Sequence, residues 1–138
     1  MGHSTIEWVY IAAVTAILIW VGADSWVIEK YIDEIPEDAE TIKVTAQQWF
    51  WTFEHEDGKK EVGELHLKVG KAYRFEVTSK DVIHAFNVPF YTAMIDAVPG
   101  RINKVWFAPE VPGEFLIQCR EYCGLLHSQM RATLIVEA

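Results

Sequence analysis

A chain of 138 residues has room for one domain with its own core and not for two. Its formal charge of −8 argues against nucleic acid, whose binding needs a basic face, and fits a basic protein partner drawn in by long-range steering. With only two cysteines, the fold does not depend on a disulfide framework.

Trp8 to Ala23 contains no charged residue and is apolar on every face of a helix. Its sixteen residues rise about 24 Å, short of the roughly 30 Å of a bilayer's hydrocarbon core. Extension to Thr5 and Ile28 completes a span, with Trp8, Tyr10, Trp20 and Trp26 as aromatic anchors near the interfaces. Val21-Gly22-Ala23 has the small residues of a signal-peptide cleavage site, but Met1 to Glu7 lacks the basic residues of a signal peptide, which favours a retained anchor. Glu7, the only acid before the apolar run, reads as a helix-start residue favoured by the helix dipole, or as a carboxylate on an ion or proton path.

Asp24 to Glu40 reads as a charge-rich connector with seven acids against the single Lys30, and Pro36 marks a helix end. A solvated linker is the plain reading of this stretch and an acidic docking surface its alternative. After Thr41 the texture changes to short alternating strands. Leu65, Leu67 and Val69 alternate with polar residues, as do Tyr73, Phe75 and Val77, and Asp57-Gly58 and Val69-Gly70 supply turns. Arg101 to Ala108, Gly113 to Cys119 and Arg131 to Glu137 complete roughly seven strands, an all-β sandwich or small barrel behind one N-terminal helix. A division at residue 40 follows, with helix and connector in 1–40 and the β domain in 41–138.

Chemistry concentrates in Cys119 to Met130, where two thiols, an imidazole and a thioether fall at spacings C-x3-C-x3-H-x2-M. This soft donor set suits copper better than a hard cation. A further nitrogen is available from His84, which ends an alternating run that reads as a strand. Two thiolates can bridge two coppers, each then taking one of His84 and His127 and one weak axial donor, Met130 sulfur on one side and a backbone carbonyl on the other. Three rivals stay open on ligand chemistry alone. A Cys119–Cys123 disulfide leaves His127 and Met130 without a role. A mononuclear blue-copper site of Cys123, His84, His127 and Met130 leaves Cys119 idle. A Cys2His2 zinc site gives Met130 nothing to do.

With these motifs in hand, the chain resembles subunit II of the haem-copper cytochrome c oxidases, which has a cupredoxin Greek-key domain and a binuclear Cu-A centre. The resemblance is carried by the anchor helix, Gln48-Trp49-Phe50-Trp51, Asp81 to Phe86, Asp96 to Arg101 and, most specifically, Cys119 to Met130. It implies bridging thiolates at Cys119 and Cys123, imidazole ligands at His84 and His127, an axial ligand at Met130 and a carbonyl ligand at Glu121. It also implies a magnesium or manganese ion at the subunit I boundary through the Glu121 carboxylate, and electron uptake from cytochrome c at Trp49, whose plain reading is a core or rim tryptophan. Asp96 and Arg101 match a loop facing subunit I, and Glu7 a glutamate at the mouth of a proton channel. One helix resembles the B-type branch, whereas Trp49-Phe50-Trp51 resembles the A-type.

The function implied is the electron-accepting subunit of an oxidase in a prokaryotic plasma membrane, single-pass, with the copper domain on the periplasmic side. Cytochrome c, subunit I and the lipid bilayer are its partners, and oxygen reduction and proton pumping belong to subunit I. The alternatives are a free-standing, membrane-anchored blue-copper carrier and the Cu-A domain of a nitrous oxide reductase.

Overall fold

The computed structural model describes residues 4–138. They form two compact units, one ending at Glu34 and the other running from Ile35 to Ala138. The first is a single helix, α1 (Thr5–Asp33). Ser4 caps its N-terminus, accepting the Glu7 N–H at 3.4 Å, so Glu7 lies in the first turn where the helix dipole favours an acid. With 29 residues, a mean hydropathy of 1.9 in its most apolar stretch and no buried side chain, α1 is long and apolar enough to cross a membrane.

The helix runs well past Asp24, where the sequence pattern placed the start of the connector. Trp26-Val27-Ile28 and Tyr31-Ile32 prolong the apolar pattern, and neither Gly nor Pro interrupts it before Pro36. Lys30 lies in the last turn, where its charge complements the dipole; its carbonyl takes the Glu34 N–H at 3.0 Å, and its ammonium sits 5.0 Å from the Trp26 ring.

The second unit holds ten strands rather than seven: β1 (Glu40–Gln47), β2 (Phe50–Glu54), β3 (Lys60–Val62), β4 (Glu64–Lys68), β5 (Tyr73–Ser79), β6 (His84–Val88), β7 (Ala93–Ala97), β8 (Asn103–Phe107), β9 (Gly113–Cys119) and β10 (Arg131–Glu137). They make two five-stranded sheets, ordered β3-β2-β1-β5-β8 and β4-β10-β9-β6-β7. Three-residue β3 is too short for a periodic signal, and β6 is buried at all five positions, so it does not alternate.

His84 does not end the preceding strand but opens β6. Between them the chain turns at Ser79 to Ile83, where the Ser79 hydroxyl donates to the Val82 carbonyl at 2.5 Å and the Asp81 N–H donates to Ser79 Oγ at 3.2 Å. The facing sheets enclose Trp51, Phe53, Phe75, Phe86, Leu65, Leu67, Ile117 and Leu134, all essentially buried. Strands β9 and β6 are neighbours, with Cys119 opposite Phe86, so the end of β9 lies beside the start of β6. Strand β10 leaves the same end, with Arg131 opposite Gln118.

Candidate metal centre

That sheet end gathers every soft donor the sequence singled out. The Sγ atoms of Cys119 and Cys123 lie 3.8 Å apart as free, buried thiols. His84 Nδ1 is 3.9 Å from Cys119 Sγ, and the Glu121 carbonyl accepts from that thiol at 3.1 Å. On the other side His127 Nδ1 is 3.5 Å and Met130 Sδ 3.7 Å from Cys123 Sγ. His84, Cys119 and Cys123 are close enough to hold one metal ion together. His84 and Met130 are fully buried, whereas His127 is half-buried. Two thiols at the centre, with one imidazole and one weak donor beside each, fit a pair of soft metal ions.

Local structure explains how twelve residues present so many donors. The Cys119 N–H donates to the Met130 carbonyl at 3.2 Å, closing the loop at its neck, and the Arg120 N–H donates to Ala85 at 3.1 Å, tying the loop to β6. A single 3-10 turn, His127–Gln129, then brings Met130 back beneath the thiols. Burial, and after it the neighbouring Cys119, pushes the Cys123 thiol up to about 12, so in the metal-free protein it holds its proton. A metal ligand must be the thiolate, so binding there displaces that proton.

The sequence pattern gave no role to Asp81, which governs His84. Its Oδ1 lies 2.8 Å from His84 Nε2, and a carboxylate can only accept, so the imidazole proton sits on Nε2 and Nδ1 faces Cys119 with its lone pair. Burial pushes the Asp81 carboxyl up, but the Gln48 amide, the His84 ring and the Val82 amide outweigh it and hold the group at about 2. The signal was the three-residue offset inside Asp81-Val82-Ile83-His84.

Gln48 stands in the Gln48-Trp49-Phe50-Trp51 motif, which gave it no role of its own; its Nε2 donates to the Cys123 carbonyl at 2.9 Å. Trp49 is half-buried beside the loop, with its indole N–H buried and without a hydrogen-bond partner. The indole packs where Gly124, at φ 126°, has no side chain: a Cβ there would lie 3.2 Å from Trp49 Nε1 and 3.0 Å from Gln48 Nε2. Trp51, by contrast, is a core residue with its ring edge-on to His84, centroids 6.3 Å apart.

The exposed carboxylates of Glu121 and Asp96 line a cavity of about 620 Å³ together with Gln48, Val82, Ile83 and Tyr122. Arg101 is exposed on the turn after β7, its N–H donating to Val98 at 3.2 Å. Glu7 belongs to the helical unit, in the first turn of α1.

Residues 60–138, more than half the chain, match the family profile described as cytochrome c oxidase subunit II, periplasmic domain. Cytochrome c oxidase subunit 2 of Myxine glutinosa is 34% identical over 91% of this chain, which spans 65% of that relative's length. The crystal structure of the periplasmic domain of subunit II of cytochrome oxidase from Bradyrhizobium japonicum superposes with a TM-score of 0.72 at 34% identity, covering 75% of this chain and 88% of that one. A chain from a cryo-EM structure of a haem-copper terminal oxidase dimer shares the fold at 21% identity and a TM-score of 0.70, over 97% of this chain and 100% of that one. The β unit is thus a cupredoxin-like sandwich behind an N-terminal apolar helix, and the chain belongs to the cytochrome c oxidase subunit II family.

Proposed function

We propose that this chain is the electron-accepting subunit of a terminal haem-copper oxidase, with residues 1–40 as membrane anchor and connector and 41–138 as the copper domain. The observation that carries the reading is the pairing of donors around two buried thiols 3.8 Å apart. His84, Cys119, Cys123, His127, Met130 and the Glu121 carbonyl would hold a binuclear copper centre of the Cu-A kind. Bound there, it would supply a one-electron relay between cytochrome c and the haem of subunit I.

The residues of the chain prepare that site in distinct ways. Asp81 fixes the tautomer and ring plane of His84. Met130, Phe86 and Trp51, all fully buried, keep water from the inner side of the thiols. A sheet framework that holds its donors in place limits rearrangement when charge changes. Trp49, half-exposed and one residue removed from Cys123 through Gly124, is the aromatic port for electrons from cytochrome c. The Glu121 carboxylate, on a cavity shared with Asp96, is offered to a magnesium or manganese ion at the subunit I boundary.

On this reading the subunit lies in a prokaryotic plasma membrane with the copper domain on the periplasmic side, supported by an N-terminal helix long and apolar enough to cross a membrane and by the match to a periplasmic-domain family. Glu7, in the first turn of the helix, is proposed as the mouth of a proton path into subunit I. Glu7→Gln should then slow oxidase turnover in the assembled complex severalfold and leave copper reduction by cytochrome c unchanged. Normal turnover across the pH range returns Glu7 to a helix-start role.

Nuclearity is the direct test of the main proposal. The full chain in detergent, loaded with copper, should bind two coppers and give an electron-spin signal shared over both nuclei. Cys119→Ser should abolish that shared signal. One copper per chain, with hyperfine structure from a single nucleus that survives Cys119→Ser, would establish the blue-copper carrier instead.

A further inference from the structure

We infer that Gln48 is a positioning residue that locks the Cys123 turn, His84 and the aromatic port into one frame. The inference rests on the copper reading above. The Gln48 side chain donates from Nε2 to the Cys123 carbonyl at 2.9 Å, across 75 residues of sequence. Its backbone N–H donates to Asp81 Oδ2 at 2.7 Å, and the other Asp81 oxygen takes the His84 Nε2 proton at 2.8 Å. One residue therefore reaches both halves of the donor set, the cysteine loop through its side chain and the separate histidine through its main chain.

The loop explains why this tie matters. At its neck it is held by the Cys119 to Met130 and Arg120 to Ala85 backbone bonds, but Cys123 lies midway round it. Gln48 grips the loop at that midpoint. Trp49 is the next residue, so the same bond sets the indole against Gly124, where the missing Cβ leaves room for both side chains. A displacement of Gln48 moves the port and the thiolate it serves relative to one another.

Gln48→Met keeps the side-chain length and removes the donor, and Gln48→Glu keeps the shape and puts an acceptor against the Cys123 carbonyl. In the full chain in detergent, both should release copper to a chelator about tenfold faster than wild type, the lower end of the effect of losing a group that orients metal ligands. At full load both should show an altered hyperfine pattern and altered visible absorption, and both should accept electrons from cytochrome c more slowly. A residue that merely props the fold would lower the thermal midpoint without moving those spectra. Release rates and spectra that coincide with wild type in both variants would overturn the role assigned to Gln48, and the Glu variant decides alone if the Met variant does not fold. A wild type that binds a single copper would remove the binuclear reading, while the ratio of release rates still judges Gln48.

Discussion

Trp49 and Trp51 stand two residues apart with different surroundings. Trp51 is sealed in the core against Phe86, ring centroids 5.5 Å apart, and truncating such a side chain to Ala costs about 3–5 kcal/mol of stability. Trp49 is half-exposed and packs on a glycine next to a thiol. Trp49→Ala should therefore leave copper content and the spin signal intact while slowing electron uptake from cytochrome c at least about tenfold, the loss expected of a central aromatic contact. Unchanged stopped-flow kinetics in that variant would make Trp49 a packing residue. The soft donors were legible in the sequence because four of them crowd into twelve residues, Cys119 to Met130. The groups that orient them were not, since the bond from Gln48 to Cys123 exists only once β1 and the loop after β9 have been folded together.

At the scale of elements, strands β9 and β10 were read with the bounds they have, because their inward side chains are apolar and their outward ones mostly polar. The β2–β3 hairpin escaped because Glu54 to Glu61 is nearly all polar. Strand β2 alternates, with Trp51 and Phe53 buried, but short β3 buries no side chain that thoroughly and is joined to its neighbours by ion pairs. Glu61 on β3 is the centre of that arrangement. Its Oε2 lies 2.7 Å from His55 Nε2 and accepts the His66 N–H at 3.0 Å, and its Oε1 lies 2.5 Å from His66 Nδ1 and 3.4 Å from Lys59 Nζ. Since β3 and β4 belong to different sheets, this carboxylate ties the sandwich across one edge. Burial pushes Glu61 up, but His55 and His66 outweigh it and bring its pKa to about 2 from an ordinary value of 4.5. The sign follows from proton binding: between those values the unfolded chain binds more protons, so the stabilisation is complete above pH 4.5 and is lost as pH falls toward 2. Glu61→Gln should cost about 2 kcal/mol near neutral pH, as expected for hydrogen bonds to a charged group. The gap from wild type should shrink on acidification, in denaturant titrations of the copper-free chain; a gap independent of pH would show that the carboxylate charge is not what holds the edge.

Across the whole molecule the two units dispose of their apolar side chains differently, a helix with none of them buried and a sandwich with its own aromatic core. The sequence announced both, because an uncharged apolar run and a two-residue alternation differ in period and in composition. It overestimated the acidic connector, since charge content does not stop a helix where no Gly or Pro intervenes. The closed neck between Cys119 and Met130 has a thermodynamic consequence. Bringing the two ends of the ligand loop together costs chain entropy, and the pairing of β9 with β10 meets that cost through backbone hydrogen bonds that need no ion. Chelation should therefore empty the site without melting the strands: the far-ultraviolet circular dichroism of stripped and loaded protein should superimpose, with the thermal midpoint lowered only as mass action requires. Loss of strand signal on stripping would mean that metal builds the loop's frame. Strands that survive stripping would mean that the polypeptide sets the order of assembly, with the metal a late arrival to a finished mould.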